Sequence, residues 1–182
     1  MSKVNVFFAT GYEEVEALTV VDILRRAGID TDMVSVTDDI VVTGSHNISV
    51  KMDKMFADVQ NDADMIVLPG GIPGTPNLKA HTGLRQIIED FYGSGKYIAA
   101  ICAAPTVFGS MGLLKDRHAT CYPGMEDELC CAEALEDAVV IDDNIITSRG
   151  LGTAIDFALA LVSVLKSDET AEELAEKIVH RV

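Results

Sequence analysis

Met65-Ile66-Val67-Leu68 is apolar at every position and stops at Pro69-Gly70-Gly71. A strand with one face in water alternates apolar and polar residues, so an unbroken run closed by turn residues marks a strand buried on both faces. Such strands belong to parallel sheets covered by helices. Val4-Asn5-Val6-Phe7-Phe8-Ala9, Thr31-Asp32-Met33-Val34-Ser35-Val36 and the run from Lys96 to Ile101 read as further strands.

Helical segments alternate with them. Apolar Val15, Leu18, Val21, Leu24 and Ala27 recur at helical spacing and predict a helix over about residues 13–27, with Gly28 as its stop. Further helices are expected near 82–93, from the cysteine at 102 to about Leu114, and over 153–166 and 169–180, where Thr153 and Ser167 stand at the starts. A short hairpin is expected at 40–43 and 48–50 around Gly44-Ser45, and strands around 118–121 and from 139 to 147, broken at Asp142-Asp143-Asn144. No repeat, low-complexity tract or long linker interrupts residues 1–182, so one domain is expected: an open, mostly parallel α/β sheet covered on both faces.

Ligands of such sheets bind beyond the carboxyl ends of the strands. Three strand ends here carry small residues: Thr10-Gly11, Pro69-Gly70-Gly71 and Cys102-Ala103-Ala104. Ala100 and Ala104 flank Cys102 at the spacing of a nucleophile elbow, with alanine in place of glycine. A thiol there stands at a helix N-terminus, where the dipole and free N–H groups favour the thiolate. The competing reading is a small buried core residue. Gly70 and Gly71 suit an oxyanion hole, because no Cβ blocks their N–H groups, although Pro-Gly-Gly is also ordinary turn chemistry.

Glu13-Glu14-Val15-Glu16 opens the first helix. Glu13 and Glu14 are read as complements to the helix dipole. Glu16 differs: it lies on the flank of the apolar stripe, where a half-buried, protonated carboxyl would reach across the strand ends and shuttle a proton. Ser148-Arg149-Gly150-Leu151-Gly152-Thr153 lacks both a P-loop ending and a dinucleotide spacing and is read as structural. His81 is expected to start a surface helix and His180 to be solvated; no histidine adjoins a cysteine.

Composition narrows the partners. Fourteen basic against twenty-nine acidic residues leave a net charge of −15, which repels nucleic acid. No run approaches the roughly 18 apolar residues of a membrane span. The opening Met1-Ser2-Lys3-Val4 has no secretory pattern, so a cytoplasmic address with reduced thiols is expected. Cys121, Cys130 and Cys131 have no zinc-ligand spacing, and the adjacent pair would form only a strained bridge.

Glu13-Glu14-Val15-Glu16, Leu68-Pro69-Gly70-Gly71, Ala99-Ala100-Ile101-Cys102-Ala103-Ala104-Pro105 and Ser148-Arg149-Gly150-Leu151-Gly152-Thr153, in this order, resemble the DJ-1/ThiJ/PfpI superfamily, and within it the branch of the Parkinsonism-associated deglycases. The resemblance implies a flavodoxin-like three-layer α/β/α sandwich, a homodimer and no cofactor or metal. It implies Cys102 as nucleophile, Glu16 as its protonated partner, Gly71 and Ala103 as N–H donors to the reacting oxygen, and Gly70, Tyr122 and His46 as residues of the substrate pocket. Two positions depart from the family pattern. Animal members carry a histidine before the proline where this chain has Tyr122-Pro123, so any base must be Glu16; Leu151 replaces a proline. Protease-like members place a histidine directly after the nucleophile, where Ala103 stands, and glutamine amidotransferases need a His-x-Glu pair that is missing.

The expected function is a glutathione-independent glyoxalase or deglycase acting on methylglyoxal, glyoxal or early glycation adducts. The alternative is a redox-responsive protein or chaperone whose Cys102 oxidises to a sulfinate under oxidative stress. An accessory role in thiamine (thiazole) synthesis follows from the family label alone.

Overall fold

The computed structural model describes residues 2–180. In chain order it runs β1 (Lys3–Phe8), α1 (Glu14–Arg26), β2 (Asp30–Ser35), β3 (Val41–Thr43), β4 (Ser49–Lys51), β5 (Lys54–Met55), β6 (Met65–Leu68), α2 (Gly74–Ala80), α3 (Thr82–Gly93) and β7 (Tyr97–Ile101). It continues through α4 (Pro105–Ser110), β8 (His118–Ala119), β9 (Glu133–Ala134), β10 (Val139–Asp142), β11 (Ile145–Ser148), α5 (Ala154–Leu165) and α6 (Asp168–Lys177).

Seven strands form the central sheet in the order β10-β11-β7-β6-β1-β2-β5. All its pairings are parallel except β10 with β11. Side chains of one strand alternate between two cores. Val4, Val6 and Phe8 of β1, Met65 and Val67 of β6, and Ala99 and Ile101 of β7 pack with Val20 and Leu24 of α1 and Phe157 and Leu161 of α5. Phe7, Ile66, Leu68, Ile98 and Ala100 face the other way, against Leu84, Ile88 and Phe91 of α3 and Val107 and Phe108 of α4. A period of two on strands buried on both sides explains why β6 has no polar position at all.

The mostly parallel α/β sandwich agrees with the sequence expectation, and several details do not. Helix α2 is unforeseen, because Gly74-Thr75-Pro76-Asn77 carries turn chemistry. Pro76 is tolerated there since the first-turn N–H groups of a helix have no intrahelical acceptor to lose. Helix α4 ends at Ser110 rather than near Leu114, and Gly112 beyond it adopts φ +74°. The strand expected over 118–121 has only two residues and pairs with β9 outside the main sheet. Strands β3 and β4 form the expected hairpin as a separate antiparallel pair. His180 is not simply solvated: its Nε2 lies 3.0 Å from Asp156 Oδ1 on α5.

Helix α1 shows an error of register. Periodicity puts Val15 in the buried stripe, whereas its side chain is exposed and Glu14 and Glu16 are buried. The first turn of α1 stands at the carboxyl edge of the sheet, under the β3–β4 hairpin and beside β6, so polar groups on those segments enclose it. Only from Ala17 onward does the helix face the apolar core.

Candidate active site

Strand β7 ends at Ile101, and Cys102 follows with φ +66°, the left-handed region that costs a residue with a Cβ about 1–2 kcal/mol. Neighbouring segments hold it there. The Cys102 N–H donates to the Ser148 carbonyl at the end of β11 (2.9 Å), and the Cys102 carbonyl accepts from the Tyr122 N–H (2.8 Å). This is the strained turn that the sequence predicts, and it lifts the sulfur off the sheet edge.

Glu16 approaches from α1. One oxygen, Oε2, accepts the Gly70 N–H at 2.9 Å. The other, Oε1, is buried with no nitrogen or oxygen partner, and the carboxyl lies against the Cys102 thiol. Gly70 must lack a side chain: a Cβ there would stand 2.6 Å from Cys102 Cβ and 2.7 Å from Glu16 Oε2. The N–H groups of Ala103 and Gly71 reach the sulfur, and Gly71 turns its amide that way at φ +95°. Cys102, Glu16, Gly70, Gly71 and Ala103 therefore meet at one point.

Burial pushes the Glu16 carboxyl up to about 7, against the pull of its hydrogen bonds to Cys102 and Gly70. Burial and then the charge of Glu16 push the Cys102 thiol up to about 12, against the N–H groups of Ala103 and Gly71. Burial thus favours the neutral form of both groups, and the Glu16 charge further holds the proton on the thiol. The pair gives up one proton near neutrality and keeps the other. With that remaining proton on sulfur, the Cys102 thiol donates to the Glu16 carboxylate, and its transfer to Glu16 leaves a thiolate, the nucleophilic form. The helix dipole matters less than the sequence suggests, since α4 has six residues and starts only at Pro105.

Tyr122 stands at the mouth, its side chain half exposed. A methyl group on Gly150 would lie 3.4 Å from Tyr122 Cδ2 and 4.0 Å from Cys102 Sγ, so ring, glycine and sulfur border one space. In the Ser148–Thr153 segment Ser148 Oγ lies 2.7 Å from Thr153 Oγ1, and the segment carries Gly150 to within reach of Cys102.

His46 is grouped with other residues. Its Nδ1 lies 3.0 Å from Glu14 Oε2 and 3.6 Å from Glu13 Oε2, on the β3–β4 hairpin. Glu14, read from the sequence as a dipole complement, is the hub of that contact: it accepts the His46 N–H (2.7 Å), the Ile48 N–H (3.4 Å) and the Ser45 hydroxyl (3.2 Å). Burial opposes its charge, yet these bonds take its carboxyl down to about 2. No local signal could have revealed this, because every partner lies more than thirty residues away. Among the described residues, Glu13, Glu14 and His46 are the one group whose ligand atoms fall within 4.8 Å of one another, but the Glu14 oxygens already hold the hairpin.

Comparison with known proteins gives a consistent picture. The family described as DJ-1/PfpI matches residues 2–164. Protein DJ-1 homolog B of Arabidopsis thaliana is 40% identical over 98% of this chain, which spans only 42% of that relative's length. A Caenorhabditis elegans protein named glutathione-independent glyoxalase DJR-1.2 is 33% identical over 91% of this chain and 89% of its own. The solved structure of Toxoplasma gondii DJ-1, oxidized, superposes with a TM-score of 0.96 at 36% identity, covering all of both chains. Among the described residues no helix is long and apolar enough to cross a membrane.

Proposed function

This chain belongs to the DJ-1/PfpI family, and from that premise we propose that it is a cysteine-dependent, cofactor-free enzyme that converts methylglyoxal or glyoxal to the 2-hydroxy acid without glutathione. The observation that carries the reading is the buried Glu16 carboxyl lying against the Cys102 thiol, which is itself held at a left-handed turn. The Cys102 thiolate adds to the aldehyde carbon, and the N–H groups of Gly71 and Ala103 hold the oxyanion while Glu16 supplies its proton. Glu16, now a carboxylate, removes the hydrogen of that carbon as a proton and returns it to the neighbouring carbon, while the hydroxyl proton passes to the neighbouring oxygen, leaving a 2-hydroxy thioester. Water cleaves the thioester and restores the thiol, so the net change is the addition of one water. The same attack on an early glycation adduct would be deglycation. The C. elegans relative named as a glyoxalase supports the reading.

The test is methylglyoxal loss in a glutathione-free assay. Cys102→Ser should abolish it, and turnover that survives the substitution overturns the reading.

A second reading, oxidation of Cys102 to a sulfinate bonded to Glu16, is favoured by the Toxoplasma relative, which was solved in an oxidized form. Intact mass after mild peroxide decides it: two added oxygens confined to Cys102 support it, and oxidation spread over Cys121, Cys130 and the methionines counts against it. We also propose a homodimer, for which exposed Val15 and Ile155 on α1 and α5 supply apolar surface. Light scattering would report a monomer if that is wrong.

A further inference from the structure

Three large, exposed side chains belong to the segments that frame Cys102, and the chemistry above gives them no task. Each is rooted on a segment that meets the sulfur. Ile72 follows Gly71, whose N–H reaches Sγ. Tyr122 is bonded through its own N–H to the Cys102 carbonyl. Leu151 follows Gly150, the glycine between the Tyr122 ring and Sγ. Their side chains are 61%, 52% and 51% exposed, respectively.

Exposed apolar groups gathered around a reactive atom mark a surface that a ligand covers. A three-carbon dicarbonyl whose aldehyde carbon is bonded to Sγ has one methyl group to offer and cannot cover such a rim. Tyr122 is placed there by geometry: its ring lies 3.4 Å from where a Gly150 Cβ would stand, and that point is 4.0 Å from Cys102 Sγ. The Glu16 carboxyl lies against the sulfur and the chain carries a net charge of −15, so an anionic electrophile is disfavoured there. The pocket is therefore suited to a neutral electrophile with an apolar tail.

We propose that Ile72, Tyr122 and Leu151 form a specificity collar that selects neutral 2-oxoaldehydes bearing an aryl or branched alkyl substituent over methylglyoxal. This deepens the glyoxalase reading and rests on it for the reaction, but the collar itself acts on any electrophile that approaches Cys102. Its side chains touch the substrate tail and take no part in bond making.

Two measurements test it. The first is the ratio of kcat/KM for phenylglyoxal to that for methylglyoxal, each divided by its rate with a free thiol. It should exceed about 10 in the wild-type chain and fall at least threefold in each of Ile72→Ser, Tyr122→Ser and Leu151→Ser, the scale expected when one apolar group is removed from the wall of a substrate pocket. The second needs no turnover: the rate of Cys102 modification by N-phenylmaleimide relative to N-methylmaleimide, followed by peptide mass and divided by the same ratio for N-acetylcysteine. An excess of about tenfold that vanishes in the triple serine variant supports the collar. A ratio equal to that of the free thiol, or one unchanged in the variants, overturns it. Loss of turnover for both dicarbonyls while the maleimide preference persists would refute the glyoxalase reading and leave the collar standing.

Discussion

The Gly70 N–H donates to Glu16 Oε2 at 2.9 Å, and a single added carbon on Gly70 would stand 2.7 Å from that same oxygen. Donor and bare face come from one residue, so Glu16 is held by a group that cannot be enlarged. Gly70→Ala should push the carboxyl off the sulfur. We expect kcat/KM for methylglyoxal to fall about 100-fold, as misplacements near 1 Å do, and stability to drop by about 1–3 kcal/mol from overpacking. A Gly70→Ala protein with near-normal activity would show that the placement of Glu16 does not matter.

Glu16→Gln should separate activity from stability. The folded-state pKa of Glu16, about 7, lies above its ordinary value of 4.5, so the protonated form favours folding. That contribution is fully present below pH 4.5 and is lost as pH rises through 7. At pH 8 the wild-type protein holds an extra buried charge that a neutral glutamine removes. The variant should be more stable there by on the order of 2 kcal/mol, with no advantage at pH 4, and should lose methylglyoxal turnover. Urea melts at the two pH values check the sign; equal effects at both would contradict the raised carboxyl.

The pH profile follows from the shared proton. Activity should be low while both groups are protonated, rise with an apparent pKa near 7 as the pair gives up one proton, and show no descending limb below about pH 10. Measured kcat/KM from pH 5 to 10 gives the curve, and a limb near 9 would assign the titration to an ordinary thiol instead.

Cys102→Gly should relieve the left-handed backbone that Cys102→Ser retains. Both variants lose the thiol, but the glycine protein should be about 1 kcal/mol more stable than the serine one. Paired thermal melts would expose an unstrained turn by giving the opposite order.

Glu14→Gln should loosen the β3–β4 hairpin from α1. Glu14 titrates near 2, below its ordinary 4.5, so its stabilising charge is present above about pH 4.5 and disappears as pH falls toward 2. The substitution should cost on the order of 2–3 kcal/mol at pH 7, and the gap should narrow at pH 3. A gap that stays constant from pH 7 to 3 would mean that shape, rather than charge, holds the hairpin.

Most of the architecture is legible in the sequence because burial on both faces leaves a plain mark: Met65 to Leu68 has no polar residue, and its end at Pro69-Gly70-Gly71 marks where the pocket lies. Cys102 is legible for a similar reason, standing between small residues at the end of β7. What escapes is contact made across the fold. Glu14 reads like any acidic residue in a first helical turn, and its partners at 45–48 become neighbours only once the hairpin folds over α1. Periodicity misplaces Val15 because it presumes an apolar partner along the whole helix, whereas the first turn meets the polar rim of the sheet. His46 joins Glu13 and Glu14, an arrangement that no spacing along the chain encodes.

The two backbone hydrogen bonds of Cys102 impose an order on biosynthesis. Strand β7 can leave the ribosome and Cys102 with it, but the acceptor that pins its amide, the Ser148 carbonyl, is made 46 residues later. Until β11 slides in beside β7, nothing on that side supports the left-handed turn, and the thiol belongs to an ordinary flexible chain. A nascent polypeptide therefore carries the Cys102 thiol without the turn that presents it, and that turn is complete only when the last strand of the sheet has been delivered.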